Sequence, residues 1–391
     1  MKVALVHEWL ESYAGSERVF EQFIRLWPEA DLYAVCDFLP EKERHFLGGK
    51  PVRTSFIQRL PGARKHFRKY LGLMPYAVEQ FDLSGYDLVV SSSHAVAKGV
   101  LTGPDTLHVS YIHSPMRYAW DMQAQYLRQA GMERGLKSLY TRWLFHRLRL
   151  WDRSSAAGVD SLIGNSRYIA DRIRKVWRRE AAVIHPPVDV ERFSIGTAPR
   201  GEHYLIASRM VPYKRVELVA EAFRRMPHRK LIITGDGPNL ALVQAAASGA
   251  SNIELRGHVA QAELVSLIQT AKAFVFAAEE DFGIGMVEAQ AAGAPLIAFG
   301  RGGAKDIVRP ETGVLFPEQS ADSIIEAVQA FEAGAPIAAE ACRENALRFS
   351  AENFRRAIAA HVQTLLRGAS PPSSSPHQGP VGHASPTPWN P

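Results

Sequence analysis

Two glutamates, Glu280 and Glu288, bracket a glycine-bearing loop, Phe282-Gly283-Ile284-Gly285. Carboxylates accept hydrogen bonds from the hydroxyls of a polyol, and glycines let a ligand approach the backbone closely. A helix that starts at such a loop also presents free N–H groups to an anion. Together these groups suit a ligand that is part phosphate and part polyol, and a sugar nucleotide is both. Upstream, Arg209 and Lys214 lie in the turn Ser208-Arg209-Met210-Val211-Pro212-Tyr213-Lys214. One is a planar fork and the other a point charge, and both can reach one cleft. A diphosphate needs that neutralisation as its bond to a sugar breaks. Each residue alone has a plainer reading: Glu288 as a solvated helix residue complementing the dipole, Arg209 and Lys214 as a solvated basic turn.

The elements that must position these groups are legible around them. An apolar run over 274–278 reads as a buried strand delivering Glu280. A helix over 286–292 stops at Gly293-Ala294-Pro295, and a strand over 296–299 runs into Gly302-Gly303. This is a parallel βαβ unit with its loop at the carboxyl edge of the sheet. Further strands are expected over 204–207, 231–234 and 253–256, alternating with helices over 216–225, 239–247 and 261–270. Before them, strands over 3–6, 32–35, 88–90, 109–112 and 161–164 alternate with helices over 17–26 and 167–176, the latter capped by Ser166. Helices over 321–332, 338–348 and 351–366 follow. The fold class expected is α/β, with two Rossmann-like doubly wound parallel-sheet domains facing across a cleft. The expected units are 1–185, a proline-containing linker at 186–200, 201–350, a helix at 351–367 crossing back to the first domain, and a disordered tail from Gly368 rich in Pro, Ser and Gly.

Composition agrees with two domains. The chain has 391 residues, 46% of them apolar. Its opening, Met1-Lys2-Val3-Ala4-Leu5-Val6, is too short for a signal h-region and reads as a strand. No apolar run is long enough to span a bilayer. Cys36 and Cys342 match no metal or redox spacing and read as reduced thiols, so a cytoplasmic location is expected. A formal charge of +6 favours an anionic partner.

The segment holding Glu280 and Glu288 resembles the E-x7-E element of retaining family 4 glycosyltransferases, and the Arg209/Lys214 turn resembles that family's basic pair in the same order. The resemblance covers residues 1–367 and implies the GT-B architecture. It implies that Glu280 binds donor-sugar hydroxyls, Glu288 the ribose, and Arg209, Lys214 and the amides of Phe282, Gly283, Ile284 and Gly285 the diphosphate. His258 and Val259, after a strand, correspond to a backbone contact with the base; His258 reads equally as a loop histidine. Gly235-Asp236-Gly237-Pro238 reads as a structural turn. Where relatives carry Gly-Gly, this chain has Ala14-Gly15, so Gly15 alone is assigned a close approach, while Ser16 and Glu17 read as caps of the helix. His113, in His113-Ser114-Pro115-Met116-Arg117-Tyr118-Ala119-Trp120-Asp121, corresponds to the histidine placed against the donor sugar. That run, with Ser91 to Val100 upstream, resembles a bacterial subgroup building O-antigen and exopolysaccharide units, mannosyltransferases among them. Lys98 is there an anion contact or a solvated lysine.

The resemblance implies a hexose, mannose from GDP-mannose first and UDP-glucose or another UDP-hexose second, moved to a lipid-linked or growing saccharide with α-stereochemistry. No cofactor and no metal are expected; the nucleotide sugar is a substrate. Two basic, aromatic-rich stretches, 53–70 and 134–153, suit peripheral contact with an anionic inner leaflet, or pack as ordinary helix faces. A sugar-nucleotide epimerase, a phosphorylase with a lysine-bound cofactor, and a basic nucleic-acid-binding protein are the other classes. The last lacks any recognisable motif.

Overall fold

Residues 1–368 are described by the computed structural model. The tail expected to be disordered lies outside them, apart from Gly368, which ends the last helix. The first sheet comprises β1 (Val3–Leu10), β2 (Asp31–Asp37), β3 (Val52–Thr54), β4 (Leu88–Ser93), β5 (Leu107–Ile112), β6 (Ser161–Gly164) and β7 (Ala182–Val183). The second comprises β8 (His203–Ala207), β9 (Lys230–Thr234), β10 (Ile253–Gly257), β11 (Ala273–Phe276), β12 (Leu296–Phe299) and β13 (Gly313–Phe316). Every pairing within each sheet is parallel. The orders are β3-β2-β1-β4-β5-β6-β7 and β10-β9-β8-β11-β12-β13. Both are doubly wound, and the strand order reverses between β1 and β4 in one sheet and between β8 and β11 in the other. A ligand crevice opens at the carboxyl end of such a reversal.

Period-two alternation sets which side chains go to which face. Phe274, Phe276, Leu296 and Ala298 enter one core of the second sheet, while Val275, Ile297 and Phe299 enter the other. In β1, Val3 and Leu5 point to one side and Ala4 and Val6 to the other. Both faces are apolar because helices cover both. Three strands escape the sequence reading: β3, β7 and β13. Each is two to four residues long and lies at a sheet edge. Such a run carries too little alternation to be told from a loop. β1 is longer than expected, so His7, Glu8 and Trp9 lie within the strand rather than after it.

Val188, Val190 and Phe193, just past Pro186-Pro187, are buried in the second core. The helix Ala351–Gly368 returns to the first domain. Phe354, Ile358 and Val362, four apart and therefore on one face, join the first sheet's core. Phe354 packs on Phe23 and Tyr111 with ring centroids 5.7 and 5.6 Å apart. Lys98, read from the sequence as an anion contact or a solvated lysine, is neither open to a ligand nor solvated. It is buried against Asp152 at 2.7 Å between the rings of Trp151 and Trp177, a structural role rather than an anion contact or a solvated side chain. Among the described residues no helix is long and apolar enough to cross a membrane.

Candidate functional site

The loops at the two strand-order reversals face each other across a cleft of about 410 Å³. Gly15, His94 and His113 line it from the first domain. Lys214, Glu280, Phe282, Gly283, Ile284 and Gly285 line it from the second. Two helices aim their N-termini into it: Gly15–Leu26, starting just after β1, and Ile284–Ala291, starting after β11. Their partial positive ends add where a diphosphate would lie. A Cβ built on Gly15 would lie 3.4 Å from Ile284 Cδ1, so the two helix starts nearly touch.

Gly283 caps the second of these helices at φ +102°, a left-handed conformation that a side chain resists. Behind the loop, Gly303 donates its amide to the carbonyl of Glu280 at 2.8 Å. A Cβ there would fall 2.2 Å from the carbonyl oxygen of Phe282, so only glycine lets the two backbones meet. Glu280 is ion-paired with Lys214, and each side chain keeps 16% of its surface exposed. The Lys214 ammonium also sits 5.3 Å from the Phe276 ring.

The opposite wall is wired differently. Glu8, fully buried in β1, accepts hydrogen bonds from Ser93 Oγ and from the amides of His94, Ala95, Val96 and Ala97, at 2.7–3.0 Å. Burial opposes its ionisation, yet the neighbouring His94 and these amides hold its pKa below the usual range. The carboxylate thereby fixes the loop that presents His94 to the cleft. His113 Nε2 bonds Ser92 Oγ at 2.9 Å, and its carbonyl accepts from Asn165 Nδ2 at 3.0 Å. Burial, with His94 and His7 nearby, pushes His113 down to about 3, so its imidazole is neutral and can hydrogen-bond a hydroxyl. Glu17 reaches back to the Ala14 amide at 3.1 Å and to His7 at 3.4 Å. Burial would raise its pKa, but His7, a backbone amide and the Ser16 hydroxyl together bring it down to about 2. Glu17 thus caps the helix, and Ser16 donates to it at 3.0 Å.

Two expectations need correction. Arg209 does not share the cleft with Lys214; it lines a second recess of about 520 Å³ together with His258 and Val259. The cause is the Gly235-Asp236-Gly237 turn. Met210 donates its amide to the carbonyl of Asp236 at 2.8 Å, and a Cβ on Gly235 would collide with the Ser208 carbonyl. This pins the backbone on either side of Arg209 against that turn, beside the second recess. Its guanidinium makes no hydrogen bond or ion pair among the described residues. Glu288 lines neither recess. It faces Arg18 of the first domain at 3.4 Å, and burial raises its pKa against that partner.

Several residues of the site were missed. Asp281 pairs with Arg117 and, at 3.4 Å, with Arg172, while its carbonyl accepts from Ser166 Oγ at 2.5 Å. Tyr168 donates to Glu279 at 2.9 Å. These contacts bind the domains along one rim. The run Glu279-Glu280-Asp281 beyond an apolar strand was a visible signal, as was a glutamate inside β1. The partners from the first domain had none, since only folding brings them near.

Comparison with known proteins gives a consistent picture. Residues 13–192 match the family model described as Glycosyltransferase Family 4, and residues 188–349 match Glycosyl transferases group 1. A GDP-mannose-dependent alpha-(1-6)-phosphatidylinositol monomannoside mannosyltransferase of Mycobacterium tuberculosis is 30% identical over 200 residues, 44% of this chain and 52% of the relative. A D-inositol 3-phosphate glycosyltransferase of Mycobacterium marinum is 26% identical over 259 residues, 59% of this chain and 56% of the relative. The chain spans about half the length of the curated relatives it matches. Among solved structures, a sucrose-phosphate synthase from Thermosynechococcus elongatus superposes with TM-score 0.69 at 17% identity, covering 94% of this chain and 100% of that one. Anabaena HepE in complex with UDP gives TM-score 0.64 at 16% identity, covering 93% and 100%. Both likenesses establish the two-domain GT-B fold.

Proposed function

Because the chain belongs to the family 4 glycosyltransferases, we propose that it moves a hexose, mannose from GDP-mannose, with retention of configuration, onto a lipid-linked or growing cell-surface saccharide. The observation that carries this reading is the Lys214–Glu280 pair set between two converging helix N-termini. An entering diphosphate takes Lys214 and the free amides. Glu280, released from the pair, then accepts from sugar hydroxyls. His113, neutral, contacts the sugar from the facing wall. Arg209, with no partner among the described residues to give up, is available to a nucleotide that extends into the second recess, where the backbone at His258 and Val259 would meet the base.

The acceptor hydroxyl attacks on the face from which the diphosphate leaves. The new glycosidic bond forms as the sugar–phosphate bond breaks and the hydroxyl proton passes to the departing phosphate oxygen, so no side chain forms a covalent bond. Neutralisation of the leaving group in the cleft falls to Lys214 and the helix ends, with Arg209 left to the part of the nucleotide that extends into the second recess. On this reading a chelator leaves turnover unchanged; full loss restored by a divalent cation would overturn the assignment. Support for GDP-mannose comes from the mannosyltransferase relatives, which are GDP-mannose-dependent. The test is a thermal-shift titration with GDP, UDP, GDP-mannose and UDP-glucose, since a ligand of the folded state raises its midpoint. A rise with the guanosine pair alone is the expected outcome, and a rise with the uridine pair alone would move the donor to UDP-hexose. Attachment to an anionic leaflet through the 134–153 stretch belongs to the same proposal.

A further inference from the structure

The turn between β6 and the helix Arg167–Trp177 touches both walls of the cleft. Its place follows from strand register. Ile112 of β5 pairs with Gly164 of β6, so the residues just past them, His113 and Asn165, emerge side by side. Gly164 keeps the turn tight, since a Cβ there would come within 3.0 Å of the Ala170 amide nitrogen. Asn165 and Ser166 are both buried, and Asn165 lines the cleft.

Successive residues of this turn make different attachments. Asn165 Nδ2 donates to the carbonyl of His113 at 3.0 Å. Ser166 Oγ donates to the carbonyl of Asp281 at 2.5 Å and, as the helix cap, accepts from the Ile169 amide at 3.2 Å. The Arg167 amide donates to Asp306 at 2.8 Å, and the Tyr168 hydroxyl to Glu279 at 2.9 Å. One helical turn on, Arg172 joins Arg117 on the Asp281 carboxylate. The first attachment fixes the histidine of the first wall. The others hold the second domain's loop on both sides of Glu280, at Glu279 and at Asp281, while the Gly303 amide holds the Glu280 carbonyl from behind at 2.8 Å. The path from His113 to Glu280 thus runs through two adjacent buried residues. Such a path is stiff, because a buried carbonyl stripped of its donor is costly. Spacing matters here, since groups misplaced by about 1 Å lose about a hundredfold in rate.

We infer that Asn165 and Ser166 are positioning residues that set the spacing of His113 and Glu280, the two groups that meet the donor sugar from opposite walls. This rests on the transferase reading of the cleft and adds to it what gauges the sugar slot. The partners of the diphosphate are anchored otherwise. Lys214 stands beside the Phe276 ring, and the helix Ile284–Ala291 is seated in the second core by Met286 and Val287. Loss of the bridge is therefore felt by the sugar and not by the nucleotide.

The test is isothermal titration of the full chain and its variants with GDP, GDP-mannose, UDP and UDP-glucose. The readout is the ratio of dissociation constants between a nucleotide sugar and its nucleoside diphosphate, which cancels any change in folding stability that both ligands share. Asn165→Ala removes the donor to His113. Ser166→Gly removes the donor to Asp281, and glycine keeps most of the cap. Each should weaken the nucleotide sugar about fivefold to tenfold, while the nucleoside diphosphate moves by less than about twofold. The loss should vanish where its target is already gone: Asn165→Ala should add nothing to His113→Ala, nor Ser166→Gly to Glu280→Gln. Equal weakening of both ligands, or losses that add in the double variants, would make the turn ordinary packing and overturn the inference. His113→Ala and Glu280→Gln alone test the cleft. If they leave the ratio unchanged, the slot is no sugar site and the inference falls with that reading. If they shift it while Asn165→Ala and Ser166→Gly do not, the inference alone falls.

Discussion

The two walls of the cleft hold similar polar groups and use them in opposite ways. On the first wall Glu8, Glu17 and His113 are committed to loop amides, to serines and to His7, whose Nδ1 is the one buried ring nitrogen of the set left without a partner among the described residues. On the second wall Lys214 and Glu280 satisfy each other at a half-open surface, and Arg209 has no hydrogen-bond or ion-pair partner among the described residues. The first arrangement is a scaffold, rigid because breaking it strands buried charge. The second is a set of exchangeable contacts, which an anionic polyol can replace one for one. Substitution of Glu8, His7 or Glu17 should therefore act on stability, and substitution on the second wall on turnover.

The largest effect expected is on the scaffold. Glu8→Ala would leave a serine hydroxyl and four loop amides without their acceptor. The loss should be about 3–5 kcal/mol, as for other broken buried charge networks. Urea denaturation measures it. An unchanged midpoint would mean that the His94 loop holds itself. Next is Lys214→Ala, which removes the counter-charge to a leaving diphosphate. Turnover should fall about a hundredfold or more with the fold intact. If Lys214→Ala unfolded the protein, or if it kept full activity, the contrast between the walls would fail.

A third test reads the scaffold through pH. His108, buried beside Ser91 at 2.9 Å, is pushed by burial from 6.5 to about 4. Between those values the unfolded chain binds a proton that the folded chain refuses. Stability therefore falls as pH drops through that window, by about 1.4 kcal/mol per unit for one such histidine. His108→Gln should make the loss of unfolding free energy between about pH 7 and about pH 5 smaller by that contribution. Equal losses in both proteins would place the acid sensitivity elsewhere, with His94 and His113 the next candidates.

Most of the fold was legible because it is written in local patterns. The strand over 161–164 and the helix over 261–270 coincide with the observed elements, and Ser166 does cap its helix, accepting from Ile169 at 3.2 Å. The second-wall loop was legible for the same reason: Glu280 and Gly283 through Gly285 follow one strand in one unbroken segment. What was not legible comes from distant segments meeting. Nothing near Glu288 announces Arg18, nothing near Asp281 announces Arg117, and Arg209 follows its glycine turn out of the cleft. A hollow beside His94, lined by Trp9, Leu71, Met74, Leu127 and Phe145, is assembled from β1, the 3₁₀ segment Phe67–Leu73 and three helices, each apolar for reasons of its own. A cavity has no sequence signature when its walls look like ordinary core.

The Arg18–Glu288 pair crosses between the walls and tests whether they are as separate as the contrast says. Arg18 and Glu288 keep 27% and 21% of their side-chain surface exposed, so the pair contributes about 0–1 kcal/mol. If Glu288 must leave Arg18 to receive the ribose of a donor, binding gives up that amount. Arg18→Ala should then tighten nucleotide binding by up to about fivefold, with little change in melting temperature. Weaker binding in the same titration would instead make Arg18 a ligand for the phosphates, and the first wall would then contribute an exchangeable charge of its own. Glu288→Ala separates the cases. Where the ribose is held by Glu288, the double variant binds as weakly as Glu288→Ala alone, because Arg18 acts only through the carboxylate it occupies.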